Sequence, residues 1–220
     1  MKKLILAAFA ATCAISAFAQ GIIAFQTRTG GTHITRVYAP LASNIYLSQR
    51  GNGTADFPAG TTVWTGFSLI GGVGIAGQYG ASSTLTQLLT APGFDQPESI
   101  LVPQTPTTTF RTGATAGFVA PLTITASNVG PDAPATIEMV VWDNSSGQYP
   151  TWKEAFAAWT EGNIAAVESG RWNTVVGGTS PPPSLDGLQS LNLYYLIPEP
   201  SCFALAGLGL ATLLVFRRRK

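Results

Sequence analysis

Short runs in which apolar and polar residues take turns, each closed by Gly, Pro or a Ser-Asn pair, limit this chain to one kind of regular structure. Ile22–Gln26, His33–Tyr38 and Asn44–Ser48 open the series. Two of the three alternate with the period of two that a half-buried strand requires. Thr62–Ile70, Thr107–Arg111, Gly117–Ala126 and Ala135–Trp142 continue it, and Leu188–Ile197 closes it. Pro121 cannot donate to a ladder, so it marks an edge or a bulge in its run. Thr, Ser, Gly and Pro are abundant and only 10% of residues are charged, which suits a β-rich domain and argues against a charged helical one. The expected fold is all-β: a single antiparallel β-sandwich or jelly-roll-like domain. One short helix interrupts the strands. Thr151 and Glu154 have capping-box spacing, Trp152, Phe156 and Trp159 fall at i, i+4 and i+7, and Gly162 ends the run. Pro181-Pro182-Pro183 is a stiff connector, because too little chain follows it to form a second core.

The two ends read as addresses. Lys2 and Lys3 precede an apolar run from Leu4 to about Ile15, and Ala17-Phe18-Ala19 follows, the pattern of a secretory signal peptide cleaved after Ala19 to leave Gln20 first. Cys13 lies in that segment and Cys202 in an apolar stretch near the other end, so the region between them has no cysteine. A disulfide framework, a thiol nucleophile and a thiolate metal site are all excluded there. From Ser201 to Phe216 there is no charge, and as a helix this stretch rises about 24 Å at 1.5 Å per residue. That is short of a hydrocarbon core of about 30 Å, but tilt and thinning of the bilayer close such gaps. Arg217, Arg218, Arg219 and Lys220 then form a cytoplasmic retention tail, giving one transmembrane helix with the bulk of the chain exported across the inner membrane.

The order Pro198-Glu199-Pro200, apolar segment, arginine cluster resembles the PEP-CTERM sorting signal of Gram-negative bacteria. The resemblance implies that Pro198, Glu199 and Pro200 are the recognition element for an exosortase-like membrane enzyme, with Ser201 to Phe216 as anchor and Arg217 to Lys220 as tail. Cys202 departs from the small residue, such as threonine, that is more usual there. The prolines fix φ and bar a helix through Ile197 to Pro200, which leaves the tripeptide extended. The region between the ends, with TTTFRTG, a strand ending VWD, SSGQYPTWKEAFAAW and GLQSLNL, is similar to exported PEP-CTERM proteins of bacteria such as Verrucomicrobia. That group supplies no established activity. The expected divisions are residues 1–19, 20–197 and 198–220.

Chemistry is sparse between the ends. Six basic residues there face ten acids, a net charge of about −4, so no nucleic-acid partner is expected. Gly72-Val73-Gly74-Ile75-Ala76-Gly77 matches G-x-G-x-x-G, but Gln78-Tyr79-Gly80-Ala81 is a poor helix start and a loop is expected. His33 is the sole histidine, which excludes a two-histidine zinc site, and a surface strand position is expected. Asp143-Asn144-Ser145-Ser146-Gly147 reads as a turn and lacks the spaced acids of a calcium loop. No metal or cofactor is expected. Glu138, Asp143, Glu154, Glu161 and Glu168 are available as carboxylates, although no spacing brings any two together. Trp142, Tyr149, Trp152, Trp159 and Trp172 crowd one part of the chain. Packing the helix onto the sheet is their favoured role, and a glycan platform of Trp142, Tyr149, Trp152 and Trp172 is the alternative.

The function expected is that of an exported, membrane-retained surface or extracellular-matrix protein, non-enzymatic and structural or adhesive. Its expected partners are the exosortase-like enzyme, the inner membrane and exopolysaccharide. A carbohydrate-binding module is the alternative, and a glycan hydrolase the third choice.

Overall fold

A computed structural model describes residues 20–197; residues 1–19, where a signal peptide with Ala17 and Ala19 is expected, and the sorting segment from Pro198 to Lys220 lie outside the described residues. The strands are β1 (Gly21–Phe25), β2 (Arg28–Thr29), β3 (His33–Ile34), β4 (Val37–Tyr38), β5 (Thr84–Pro92), β6 (Val102–Pro103), β7 (Leu122–Ala126), β8 (Pro134–Asp143), β9 (Ala166–Val175) and β10 (Leu191–Asn192), with one helix, α1 (Trp152–Thr160). The domain is mostly β with one short helix, as expected. Among the described residues no helix is long and apolar enough to cross a membrane, and the apolar segment Ser201 to Phe216 lies outside them.

One antiparallel sheet, in the order β6-β5-β8-β9, forms the centre. Alternation along β8 divides its side chains between two cores. Ile137, Met139 and Val141 point to one face, where they join Leu88 and Val167, the β1 residues Ile23 and Phe25, and the β7 residues Ile124 and Ala126. Val140 and Trp142 point to the other, where they meet Leu89, Ala166 and the α1 residues Trp152, Ala155, Ala158 and Trp159. The layer opposite the sheet is thus the antiparallel β1–β7 ribbon with its loops, and the opposite cover is the helix. One pairing departs from the antiparallel expectation: β10 lies parallel to β4, with Leu191 opposite Val37.

Several local expectations are corrected. Asn44–Ser48 is a turn region, because the Asn44 side chain accepts from the Tyr46 N–H at 3.2 Å and bends the chain. Thr62–Ile70 is broken at Gly66, whose φ of 86° no strand residue adopts, and keeps only a bridge from Leu69 to Tyr38. Within Leu188–Ile197 only Leu191–Asn192 is strand. Pro121 sits just outside β7. The helix begins with the expected capping box, Thr151 accepting from the Glu154 N–H and the Glu154 carboxylate from the Thr151 N–H, and Gly162 follows its end at φ 74°. Phe156, however, is 39% exposed, and Ala155 and Ala158 fill the buried face in its place. His33 is fully buried in a polar cluster, not on the surface. Its Nε2 lies 3.1 Å from Thr35 Oγ1, and burial lowers its pKa against the pull of Asp186 and Asp56.

A buried carboxylate ties the long 39–83 excursion to the residues just ahead of β4 and β10. Asp56 Oδ1 accepts from Arg36 Nη1 at 2.5 Å, and its Oδ2 accepts from the Gly53 N–H at 2.7 Å and the Ser190 hydroxyl at 2.9 Å. The Asp56 side chain is only 1% exposed, so truncation leaves the Arg36 charge and the two donors without an acceptor. Asp56→Ala is expected to lower the free energy of unfolding by about 3 kcal/mol or more in urea titration.

Candidate functional site

Glu138 is a charged residue in the middle of β8, whose other charged residue is the terminal Asp143, and it is 2% exposed. It sits opposite Leu89 on one neighbour and Arg171 on the other, on the face that carries Val140 and Trp142. A β-bulge decides what surrounds it. Val140 pairs with Glu168 and Glu138 with Arg171, so Ser169 and Gly170 together oppose Met139. In a regular strand residues 168 and 171 would point to opposite faces. The extra residue turns both to the Glu138 side. Gly170 permits this with φ 73°, and a Cβ there would strike the Arg50 guanidinium. The Ser169 hydroxyl accepts from the Met139 N–H at 2.9 Å, replacing a lost ladder bond.

Two segments from elsewhere close the site. Residues 93–98 are held over β8 and β9: Asp95 and Asn173 exchange hydrogen bonds at 2.9 and 2.8 Å, and the Gln96 N–H donates to Thr136 Oγ1 at 3.0 Å. This brings up Glu98. Arg50 arrives from the 39–83 excursion and donates to the Glu168 carbonyl at 2.7 Å, and Arg171 donates to the Gln96 carbonyl at 2.7 Å. Tyr194, just after β10, completes a cavity of about 510 Å³.

The electrostatics are those of crowded acids. Burial first, then repulsion by Glu98, pushes the Glu138 carboxyl up to about 7, against the pull of Arg171, the Gly170 N–H and Arg50. Burial, then Glu98 and Glu138, together with a hydrogen bond to the Glu98 carboxyl, pushes Glu168 up to about 7 as well, with Arg50 opposing. Glu138 Oε2 has no hydrogen-bond partner. No group of three acidic, His or Cys side chains among the described residues is placed to hold a metal ion.

The aromatic residues are elsewhere in their roles. Trp142 is fully buried and donates from Nε1 to the Tyr149 carbonyl at 2.7 Å. Trp152 and Trp159 are 6% and 4% exposed, with ring centroids 6.2 Å apart, and Trp159 Nε1 donates to the Tyr194 carbonyl at 2.9 Å. Tyr149 packs half-buried against the same cluster. Trp172 lies on the other face, packed on the first core over Gly187, where a Cβ would stand 2.5 Å from ring atoms. Trp142 and Trp152 therefore have no free ring face for a sugar, and Trp172 does not stand beside them. Asp143 to Gly147 is a turn, with the Ser145 N–H donating to Asp143 Oδ1 at 3.0 Å. Gly72 to Gly77 is a loop without helix, as expected. Gln20 is half-buried just ahead of β1.

Of the five carboxylates considered from sequence, the fold brings Glu138 and Glu168 together and leaves Asp143, Glu154 and Glu161 apart from them. Arg50, Glu98 and Arg171 were not foreseen. The signal in the sequence was Glu138 itself, an acid in the middle of ATIEMVVW. Because the folded state holds protons on Glu138 and Glu168 that the unfolded chain gives up between about pH 4.5 and 7, their contribution to stability is present at low pH and is lost as pH rises through about 7. His33 acts in the opposite sense, since its lowered pKa costs stability as pH falls below about 6.5. Denaturant melts from about pH 6.5 to about pH 8 should show wild type losing about 1 kcal/mol, and Glu138→Gln should shrink that slope.

No curated protein and no solved structure matches the chain. A protein-family model, the PEP-CTERM protein-sorting motif, matches residues 196–220. The match covers the sorting segment and leaves the site above untouched. The chain carries a PEP-CTERM protein-sorting motif and is sorted by an exosortase system, with export and processing at the membrane.

Proposed function

We propose that the chain is a surface or extracellular-matrix protein whose exported domain, a sandwich of the central sheet and the β1–β7 ribbon, serves a non-enzymatic structural role after exosortase processing. The sorting motif at residues 196–220 carries this reading. The burial of Trp142 and Trp152 supports it over an aromatic glycan platform. Residues 201–216 hold the protein in the inner membrane until the tripeptide is processed, and the matrix into which it is delivered includes exopolysaccharide.

Replacing Pro198, Glu199 and Pro200 by alanine is expected to leave full-length protein in the inner-membrane fraction. Wild type is expected to appear shortened in the envelope or medium, as read by fractionation and intact mass. Equal shortening and release of both forms would overturn the proposal.

A further inference from the structure

The carboxylate pocket is lined by more acidic than basic groups. Asp95, Glu98, Glu138 and Glu168 line it against Arg50 and Arg171. Among the described residues the only ion pair is Arg36–Asp56, away from this cavity. Both pocket guanidiniums donate instead to backbone carbonyls, of Glu168 and Gln96. Asp95 is satisfied by Asn173. Glu138 is not: 98% of its surface is buried against a 2% exposure, it lines the cavity, and its Oε2 meets no donor. A buried carboxylate oxygen without a donor is costly, and a donor entering the cavity would remove that cost.

The chemistry of that donor follows from the surroundings. An anion would meet four carboxylates. A neutral hydroxyl would satisfy Glu138 Oε2 but bring no charge to a lining of four acids and two guanidiniums. A bare metal ion lacks a converging ligand set. A cavity of about 510 Å³ has room for a molecule of several heavy atoms. We propose that this cavity binds a small organic ammonium ligand, whose N–H groups reach Glu138 Oε2 and whose charge offsets the Glu98, Glu138 and Glu168 cluster. The raised protonation range of Glu138 and Glu168 agrees, since a bound cation favours their ionised forms. Asp95, Arg50, Arg171 and Tyr194 are the other titratable groups facing the cavity. An alkyl ammonium stays charged across this range, so its binding strengthens as pH rises through about 7.

Isothermal titration of the full-length protein in detergent tests this with 1,4-diaminobutane and glucosamine as probes, and glucose and calcium chloride as controls. Saturable binding of diaminobutane, glucosamine or both is expected. Diaminobutane should bind more strongly at about pH 8 than at about pH 5.5. Glucosamine, whose amine titrates in the α-amino range, is compared at about pH 7. Which amine binds tells an aliphatic source from a sugar. Glu138→Gln should weaken it about ten-fold, as loss of a charged hydrogen bond does. The exposed Glu98→Gln, which threatens no core, should weaken it several-fold in its own right. Absence of saturable heat with both amines, equal binding of glucose, a response to calcium alone, or unchanged affinity in Glu98→Gln would each overturn the proposal.

Discussion

β8 is buried on both faces from Ala135 to Asp143, and that double burial places every other layer. A strand in this position must find ladder partners on both edges and apolar cover on both sides, because nothing about it can be left to water. β5 and β9 supply the edges; the β1–β7 ribbon and α1 supply the covers. Each large apolar side chain sealed in this way contributes about 1.5–3 kcal/mol, so Ile137, Met139, Val140, Val141 and Trp142 together outweigh any single polar contact in the domain. Thr136 and Glu138 are the polar side chains set among them, with Asp143 at the end of the strand. Thr136 is fully served, donating to the Gly93 carbonyl at 2.9 Å and accepting from the Gln96 N–H at 3.0 Å. Glu138 keeps one oxygen unserved in the same strand. The contrast separates a polar residue that stabilises the fold from one whose burial the fold sustains at a cost.

The bulge in β9 is the device that makes a pocket out of that cost. By opposing Met139 with two residues it aligns Glu168 and Arg171 on one face, and it leaves the Gly170 N–H free to serve Glu138. Had β9 run without it, one of the two charged side chains would point into the core of Ile137 and Met139. The bulge therefore protects the apolar core and assembles the site in a single step. Gly170 is fixed by its positive φ.

The sequence made the outer parts of this fold legible and concealed its centre. β1, β7 and the capping box of α1 obey local rules, being half-buried or capped by neighbours in the chain. β5 reads TLTQLLTAP and is buried on both faces, so it has no alternation to detect. β9 reads AVESGRWNTV, and its Ser-Gly and charged residues suggest a loop for the same reason that they form a bulge. Half of the pocket was therefore hidden in a strand that looks like a turn. Glu98 and Arg50 reach the site only through tertiary contacts and leave no local trace. The aromatic crowding was visible, and its role as packing followed from the helix on which Trp152 and Trp159 sit.

The pocket and the sorting segment are close along the chain. Tyr194 lines the cavity, and the family match begins at Leu196, two residues further on. From Tyr194 to Pro198 the chain can extend about 14 Å at most. Whatever holds the sorting segment therefore also holds the pocket close to it. The exit strand is bonded accordingly. The Leu193 N–H donates to the Tyr38 carbonyl at 2.9 Å, and Tyr194 and Ala166 exchange hydrogen bonds at 3.1 and 3.2 Å. The Tyr195 N–H reaches the Ile45 carbonyl at 3.0 Å, and Asn192 accepts from the Gln49 N–H at 2.8 Å. β10 is only two residues long, yet these bonds grip it from β4, from the 45–51 segment and from the start of β9. The chain end that leads into the sorting motif is thus bonded to three elements of the domain, while the geometry around Glu138 is set by β8 and β9.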